Sequence, residues 1–318
     1  MSSNKVSLSL PVIDFSNSDL KPSNPTWGLL KSQVRKAAEE YGCFQVLFNK
    51  IPEQLQKSMN QASEELFQLP LETKQLNVSE KPFHGYLGSS SSAMSLYESL
   101  AIVEPDIYNK VETTFTNVLY PQGNTELSKI LHSFSETVLE LDKIVRRMIV
   151  ESFGVEKYLD EHMNSTYYFL RVAKYKAPET TEKITGLRAH TDKNTISIFY
   201  QNQVDGLEIQ SRNGDWIPIM FSPDSFLVLI GESLNAWTNG RLCSPYHRVM
   251  LSGNKPRYSA SFFSVPKDGY IIKALEELVD EDHPLLYKPF DYSDYLKRRF
   301  ADDVKIKSVP PLKSYFGS

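Results

Sequence analysis

Two histidines and one aspartate carry the strongest chemical signal in this 318-residue sequence. The chain has six histidines: His84, His132, His162, His190, His247 and His283. His132 falls inside a long amphipathic pattern, and His162 and His283 stand among acidic neighbours, so these three read as structural or solvated. His190 differs because Asp192 follows at i+2. On an extended segment that spacing puts both side chains on one face, where both reach one point. The pair alone is a weak signal, because a chance His-x-Asp is common in a chain with six histidines. His247, 55 residues beyond Asp192, offers a third ligand as it enters a β-rich run from Arg248 to Leu251.

Two imidazoles and a carboxylate on one face leave further coordination positions open, which is the facial arrangement of non-haem Fe(II) oxygenases. Ten residues after His247 comes Arg257-Tyr258-Ser259, in which Arg257 and Ser259 share a face by the period of two. An arginine on an inner face is costly unless an anion pairs with it. Its fork matches a carboxylate bidentately, and a hydroxyl two residues on can donate a further bond. The alternative for Arg257 is an internal ion pair with one of the chain's own acids.

These residues need a scaffold, and the hydrophobic pattern supplies one. After a strand pattern from Leu10 to Phe15, Leu30, Val34, Ala37, Ala38 and Tyr41 recur at helical spacing and end at Gly42. Phe44 to Phe48 reads as a strand, and Ile51 to Leu69 as a helix stopped by Pro70. Asn124 can cap a long helix with the stripe Leu127, Leu131, Phe134, Val138, Leu141, Val145 and Met148, closed by Gly154. From about Tyr167 the period changes to short β-rich runs: 195–200, 207–210, 216–219, 226–230, 248–251 and 258–265. Asn213-Gly214 and Asn239-Gly240 between them supply the positive φ angles of tight hairpins. Closely spaced short strands mean a sandwich, jelly roll or barrel. A last helix runs from about Tyr292 to Phe300, and Ser89 to Ser92 reads as a loop tip. The expected organisation is one α+β domain over 1–318, mainly helical to 165, with the β core over 166–270 and a helical segment over 271–318.

Composition is that of an ordinary globular protein: 41% hydrophobic, 12% aromatic and 23% charged residues, with a formal net charge of −4. A mildly acidic chain carries no electrostatic footprint for nucleic acid. Two cysteines, Cys43 and Cys243, cannot staple a fold of this length, and their scarcity fits a reducing compartment. The start, Met1 to Phe15, lacks the apolar core of a signal peptide, and no run approaches the ~18 apolar residues of a membrane span. The expectation is a cytoplasmic protein with no membrane attachment and no obligate protein partner.

The full pattern resembles the plant 2-oxoglutarate- and Fe(II)-dependent dioxygenase family. The segments that carry the resemblance are Ala189-His-Thr-Asp-Lys193, Tyr200-Gln-Asn-Gln203, Asp205-Gly-Leu-Glu208, Trp237-Thr-Asn-Gly-Arg241, Ser244-Pro-Tyr-His-Arg248 and Lys255-Pro-Arg-Tyr-Ser259. It extends from Leu10 through Tyr41-Gly-Cys-Phe44 to Phe262-Phe-Ser-Val-Pro266. The most similar subgroup is named for glucosinolate side-chain-modifying dioxygenases, and also holds auxin oxidases and steroidal-glycoalkaloid hydroxylases.

The resemblance implies a double-stranded β-helix (jelly-roll) core flanked by helices. It implies Fe(II) on His190, Asp192 and His247, and the distal carboxylate of 2-oxoglutarate on Arg257 and Ser259. O2 is the oxidant, and ascorbate a supporting reductant. Many plant members carry an Asn-x-Tyr that contacts 2-oxoglutarate; here Tyr175 is kept and Ala173 replaces the Asn. The segments Phe83-His84-Gly85-Tyr86 and Tyr97-Glu98-Ser99 are expected to fold over the barrel mouth, with Phe169, Phe263 and Val265 lining the other side. The implied substrate is a small, mostly apolar specialised metabolite, oxidised with release of succinate and CO2. Auxin oxidation, a non-catalytic ligand-binding jelly roll, and an iron enzyme using another reductant are the alternatives.

Overall fold

The structure, a computed structural model, describes residues 9–16, 20–88, 96–178, 180, 182–305 and 311–318. The Ser89–Ser92 loop-tip expectation lies outside these residues. Eight consecutive strands form the core: β4 (Thr166–Tyr175), β5 (Ile184–His190), β6 (Ile196–Gln201), β7 (Leu207–Gln210), β8 (Trp216–Pro218), β9 (Ser225–Ile230), β10 (His247–Leu251) and β11 (Arg257–Pro266). They alternate between two facing sheets, as in a jelly roll, except at β7 and β8, a hairpin within one sheet. One sheet has the order β5-β10-β7-β8. The other is β1-β2-β9-β6-β11-β4-β3, extended at its edges by β1 (Val12–Asp14), β2 (Cys43–Leu47) and β3 (Tyr97–Val103). A two-stranded ribbon, β12 (Ile271–Ile272) with β13 (Phe290–Asp291), leads to the C-terminal helix Tyr292–Lys305.

Alternation along the strands separates two environments. On β11, Tyr258, Ala260 and Phe262 join Leu170, Val172, Ile198 and Val228 on the outer face of the large sheet. Three helices cover that face: Pro25–Glu40, Glu53–Leu66 and Thr125–Ser152. Their starts follow from local chemistry. Asn24 Oδ1 accepts from Thr26 N at 2.9 Å with Pro25 in the first turn, and Asn124 Oδ1 accepts from Leu127 N at 3.0 Å. Gly42 ends the first helix at φ +70°, where a Cβ would stand 2.6 Å from the Cys243 carbonyl. The odd-numbered residues, Arg257, Ser259, Ser261, Phe263 and Val265, face the other way, into the barrel.

Two expectations need correction. The mainly helical first half holds a strand that was not expected: Tyr97–Val103 is β3, paired residue by residue with β4. It is buried on both faces, so its sequence shows no polar alternation to announce a strand. Asn239-Gly240, with φ of 51° and 75°, does not turn a hairpin; it closes the short helix Glu232–Trp237. Asn213-Gly214 does lie in the β7–β8 hairpin. No helix among the described residues is long and apolar enough to cross a membrane.

Candidate metal centre and co-substrate site

His190 ends β5 and His247 begins β10, and the antiparallel register sets them opposite each other with rings 4.2 Å apart. Asp192 lies beyond the end of β5, in the irregular stretch that leads to β6. It therefore reaches the histidines from a turn, not by the strand alternation expected for His-x-Asp. One ligand atom from each of the three lies within 4.8 Å of the others. Asp192 Oδ1 is 3.8 Å from His190 Nε2 and 3.7 Å from His247 Nε2. Each Nδ1 faces a backbone carbonyl, Arg188 at 2.9 Å for His190 and Pro245 at 3.5 Å for His247. Those partners place the ring proton on Nδ1 and leave both Nε2 lone pairs turned inward. Burial, and then the nearby His247, lowers the His190 pKa, which favours the neutral ligand form. Burial acts to raise the Asp192 carboxyl, but His247, His190 and a hydrogen bond from Ser197 outweigh it and hold it ionised.

The metal pocket is braced from behind. Ser197 Oγ donates to Asp192 Oδ2 at 2.5 Å. The backbone N–H of Glu232 donates to the Asp192 carbonyl at 2.8 Å, and Thr191 Oγ1 donates to Glu232 Oε1 at 2.7 Å. Tyr295 on the C-terminal helix donates to the other Glu232 oxygen. Two neutral imidazoles and one carboxylate, the only such cluster among the described residues, fit Fe(II) with open positions.

Arg257 opens β11 at the far end of the barrel, 3% exposed. Its Nε and Nη2 donate to Gln201 Oε1 at 3.1 and 2.6 Å, and its guanidinium lies 5.0 Å from the Tyr175 ring centre. No ion pair to Arg257 forms among the described residues, so the alternative of an internal salt bridge fails. Its buried Nη1 has no hydrogen-bond partner. A buried guanidinium with a spare edge fits the carboxylate of 2-oxoglutarate. Ser259, two residues along the same face, sits in register between Gln201 on β6 and Ala173 on β4. Ala173 brings only a methyl group there.

An aromatic wall runs from the metal pocket to the opposite side. Phe199 is 5.7 Å from His247 and 6.3 Å from Phe263, and Phe263 is 5.7 Å from Phe169. His84 follows, 4.6 Å from Phe169, with its Nε2 2.7 Å from the Tyr167 hydroxyl. Phe83 packs edge-on against Phe300 at 5.2 Å. Val265 joins Phe169, Ala101, Tyr292 and Tyr295 in the cluster beneath the C-terminal helix.

The family model described as the 2OG-Fe(II) oxygenase superfamily matches residues 160–266. The model for the N-terminal region of non-haem dioxygenases, described through morphine synthesis, matches residues 10–110. A probable 2-oxoglutarate-dependent dioxygenase of Arabidopsis thaliana, AOP1.2, is 52% identical over 297 residues, covering 92% of this chain and 91% of that protein. The chain belongs to the 2-oxoglutarate- and Fe(II)-dependent oxygenases. The Arabidopsis dioxygenase AOP3 is 35% identical, with 90% of this chain and 92% of AOP3 covered. Among solved structures, the rice dioxygenase for auxin oxidation superposes with a TM-score of 0.81 at 25% identity, covering 98% of this chain and all of that one. Arabidopsis AtDAO1 with bound 2-oxoglutarate gives 0.76 at 27%, over 87% of this chain and 100% of that one.

In this dioxygenase two expected lid residues lie elsewhere. Tyr86 is on the outer side of the sheet: its hydroxyl bonds Glu98 at 3.1 Å, and Glu98 pairs with Lys74 at 2.6 Å. The next residue, Leu87, bridges to Ser99 and packs inward, so Tyr86 turns out. Tyr97 is not in a lid but in β3, against Tyr175 at 5.1 Å and near the Arg257 end. Sequence reasoning also missed Gln201, Ser197, Glu232 and Tyr295. Gln201 and Ser197 were within reach, since both share the inward face of β6 with Phe199. Glu232 and the buried Tyr295 carry no local signal, because long-range packing brings them in.

Proposed function

We propose that His190, Asp192 and His247 hold Fe(II), and that Arg257, Ser259 and Tyr175 hold 2-oxoglutarate, in an enzyme that hydroxylates a small, mostly apolar plant metabolite. The observation that carries this is the buried Arg257, on the inward face of β11 in the barrel that carries the His-Asp-His cluster, whose Nη1 has no hydrogen-bond partner. When bound, Fe(II) and 2-oxoglutarate supply oxidative decarboxylation by O2, releasing succinate and CO2 and oxidising a C–H bond. The chain does the rest by positioning. The Nδ1 contacts and Ser197 orient the ligand atoms, Gln201 fixes the Arg257 fork, and the aromatic wall excludes water. Phe83, His84, Phe169 and Phe263 face the substrate, and Val265 supports them from beneath the C-terminal helix. Tyr97 supports Tyr175.

The reading extends to a cytoplasmic enzyme without an obligate protein partner, assisted by ascorbate; the free thiols of Cys43 and Cys243 accord with a reducing compartment. Likeness to the two auxin-oxidising dioxygenases supports a second reading, oxidation of indole-3-acetic acid. A metabolite screen with Fe(II) and 2-oxoglutarate, followed by mass shift and succinate release, tests both. A product of added oxygen with stoichiometric succinate is expected. No succinate with any metabolite would leave a ligand-binding jelly roll, and product without 2-oxoglutarate would require another reductant.

A further inference from the structure

The barrel interior holds a second arginine, and the co-substrate does not account for it. Arg171 lies on β4 between Ala173 and Phe169, and its alternation directs it inward like Tyr175. In register it faces Ser261 on one side and Ala101 on the other. It is 9% exposed. Its Nη1 donates to Ser99 Oγ at 2.6 Å and its Nη2 to the Phe83 carbonyl, and its guanidinium lies 5.2 Å from the Phe169 ring centre. All of these partners are neutral.

No carboxylate pairs with Arg171 among the described residues. The nearest acids on neighbouring elements are engaged elsewhere. Glu98, next to Ser99, points to the other face of β3 and pairs with Lys74. Asp268, whose charge reaches His84, pairs with Lys81 at 2.7 Å. A guanidinium enclosed this far without a counter-ion is costly to bury. Arg257 presents the same signature at the other end, where a carboxylate fits it. Arg171 stands two residues from Ala173, at the junction between the co-substrate end and the aromatic wall. Ala101 and His84, both beside it, also line a cavity of about 170 Å³ with Asn77, Val103, Glu104 and Lys110, in which Glu104 pairs with Lys110 at 3.6 Å.

We propose that Arg171 binds an anionic group of the organic substrate, so that the substrate is an apolar metabolite bearing a carboxylate. Ser99 and the Phe83 carbonyl hold the guanidinium in place, and the aromatic wall takes the apolar body. The inference rests on the reading of the barrel interior as the dioxygenase site.

The test is calorimetric titration of the full-length protein, loaded with Fe(II) and 2-oxoglutarate without O2, using matched probes. Indole-3-acetate is compared with indole-3-acetamide, and 3-phenylpropionate with 3-phenylpropionamide. Wild type should bind at least one acid tenfold or more tighter than its amide. Arg171→Gln should bring that pair within twofold, and Arg171→Lys, which keeps the charge, should retain most of the preference. The affinity for 2-oxoglutarate should stay within twofold of wild type in both variants. An acid preference that survives in Arg171→Gln overturns the inference, as does a wild type that does not prefer an acid in either pair. A loss of 2-oxoglutarate affinity in Arg171→Gln, with the acid preference intact, would assign Arg171 to the co-substrate instead. Failure of the wild type to bind 2-oxoglutarate would fell the dioxygenase site itself, which separates the two outcomes.

Discussion

Ser197 and Asp192 form a 2.5 Å hydrogen bond that uses Oδ2 and leaves Oδ1 turned toward both imidazoles. The serine, fully buried on β6, decides which carboxylate oxygen is offered to a metal. Ser197→Ala frees the carboxylate to rotate, and partners of metal ligands typically contribute 10–100-fold in affinity. Fe(II) affinity, read by competition with a chelator, should fall by about that factor, with the circular dichroism spectrum unchanged. Wild-type affinity in the variant would show that the turn alone orients Asp192.

His247 is a stricter test of the triad. His247→Ala removes one of three donors and should abolish turnover and tight Fe(II) binding. The protein should stay folded, because a core of this length does not depend on a metal staple. Retained turnover would exclude His247 as a ligand.

Arg257→Lys keeps the charge but loses the fork that now spans Gln201 and the open Nη1 edge. The KM for 2-oxoglutarate should rise at least tenfold while Fe(II) affinity holds within about twofold. Ser259→Ala removes one hydrogen bond to a charged group, worth about 1.5–3 kcal/mol, and should show a smaller version of the same defect. A change confined to the organic substrate's KM would contradict the co-substrate role.

The His-Asp-His cluster was legible because its residue types at that spacing have restrictive chemistry, and Arg257 because a charge is costly inside a barrel. The same argument applied to Arg171, but its strand parity becomes evident only once β4 is seen paired with β3 and β11. The strand read over 195–200 stops one residue short of Gln201, and no spacing rule states which residues across a barrel Ser197 and Gln201 meet. The lid was the least legible part. Tyr86 and Leu87 differ by one residue and fall on opposite sides of the sheet, so a loop motif without its register cannot assign either. Glu232 and Tyr295 meet only because the C-terminal helix folds back over the barrel.

That difference of faces makes a paired prediction. Phe263→Ala opens the aromatic wall and should lower the ratio of oxidised product to succinate several-fold, since 2-oxoglutarate is consumed without a held C–H target. Tyr86→Phe deletes only the hydroxyl that serves Glu98, outside the barrel, and should leave the ratio unchanged while costing about 1 kcal/mol of stability. An unchanged ratio in Phe263→Ala, or a collapsed one in Tyr86→Phe, would reverse the two assignments.

His84 makes stability depend on pH in an unusual direction for an imidazole. Burial pushes its pKa down to about 4, with Arg171 adding to the effect and the Pro82 carbonyl opposing it. The unfolded chain titrates near 6.5, so between the two values the unfolded state binds the extra proton. The stabilisation is therefore complete above pH 6.5 and is lost as pH falls toward 4. The gap corresponds to roughly 3 kcal/mol. His84→Gln cannot take the proton, so its unfolding free energy, measured in urea at pH 7 and pH 4.5, should fall by roughly 2–3 kcal/mol less than that of wild type. The variant should be less stable at pH 7, because the bond to Tyr167 and the ring contact with Phe169 are weakened. Equal pH dependence in the two proteins would mean that His84 is already protonated in the fold, with its charge tolerated beside Arg171.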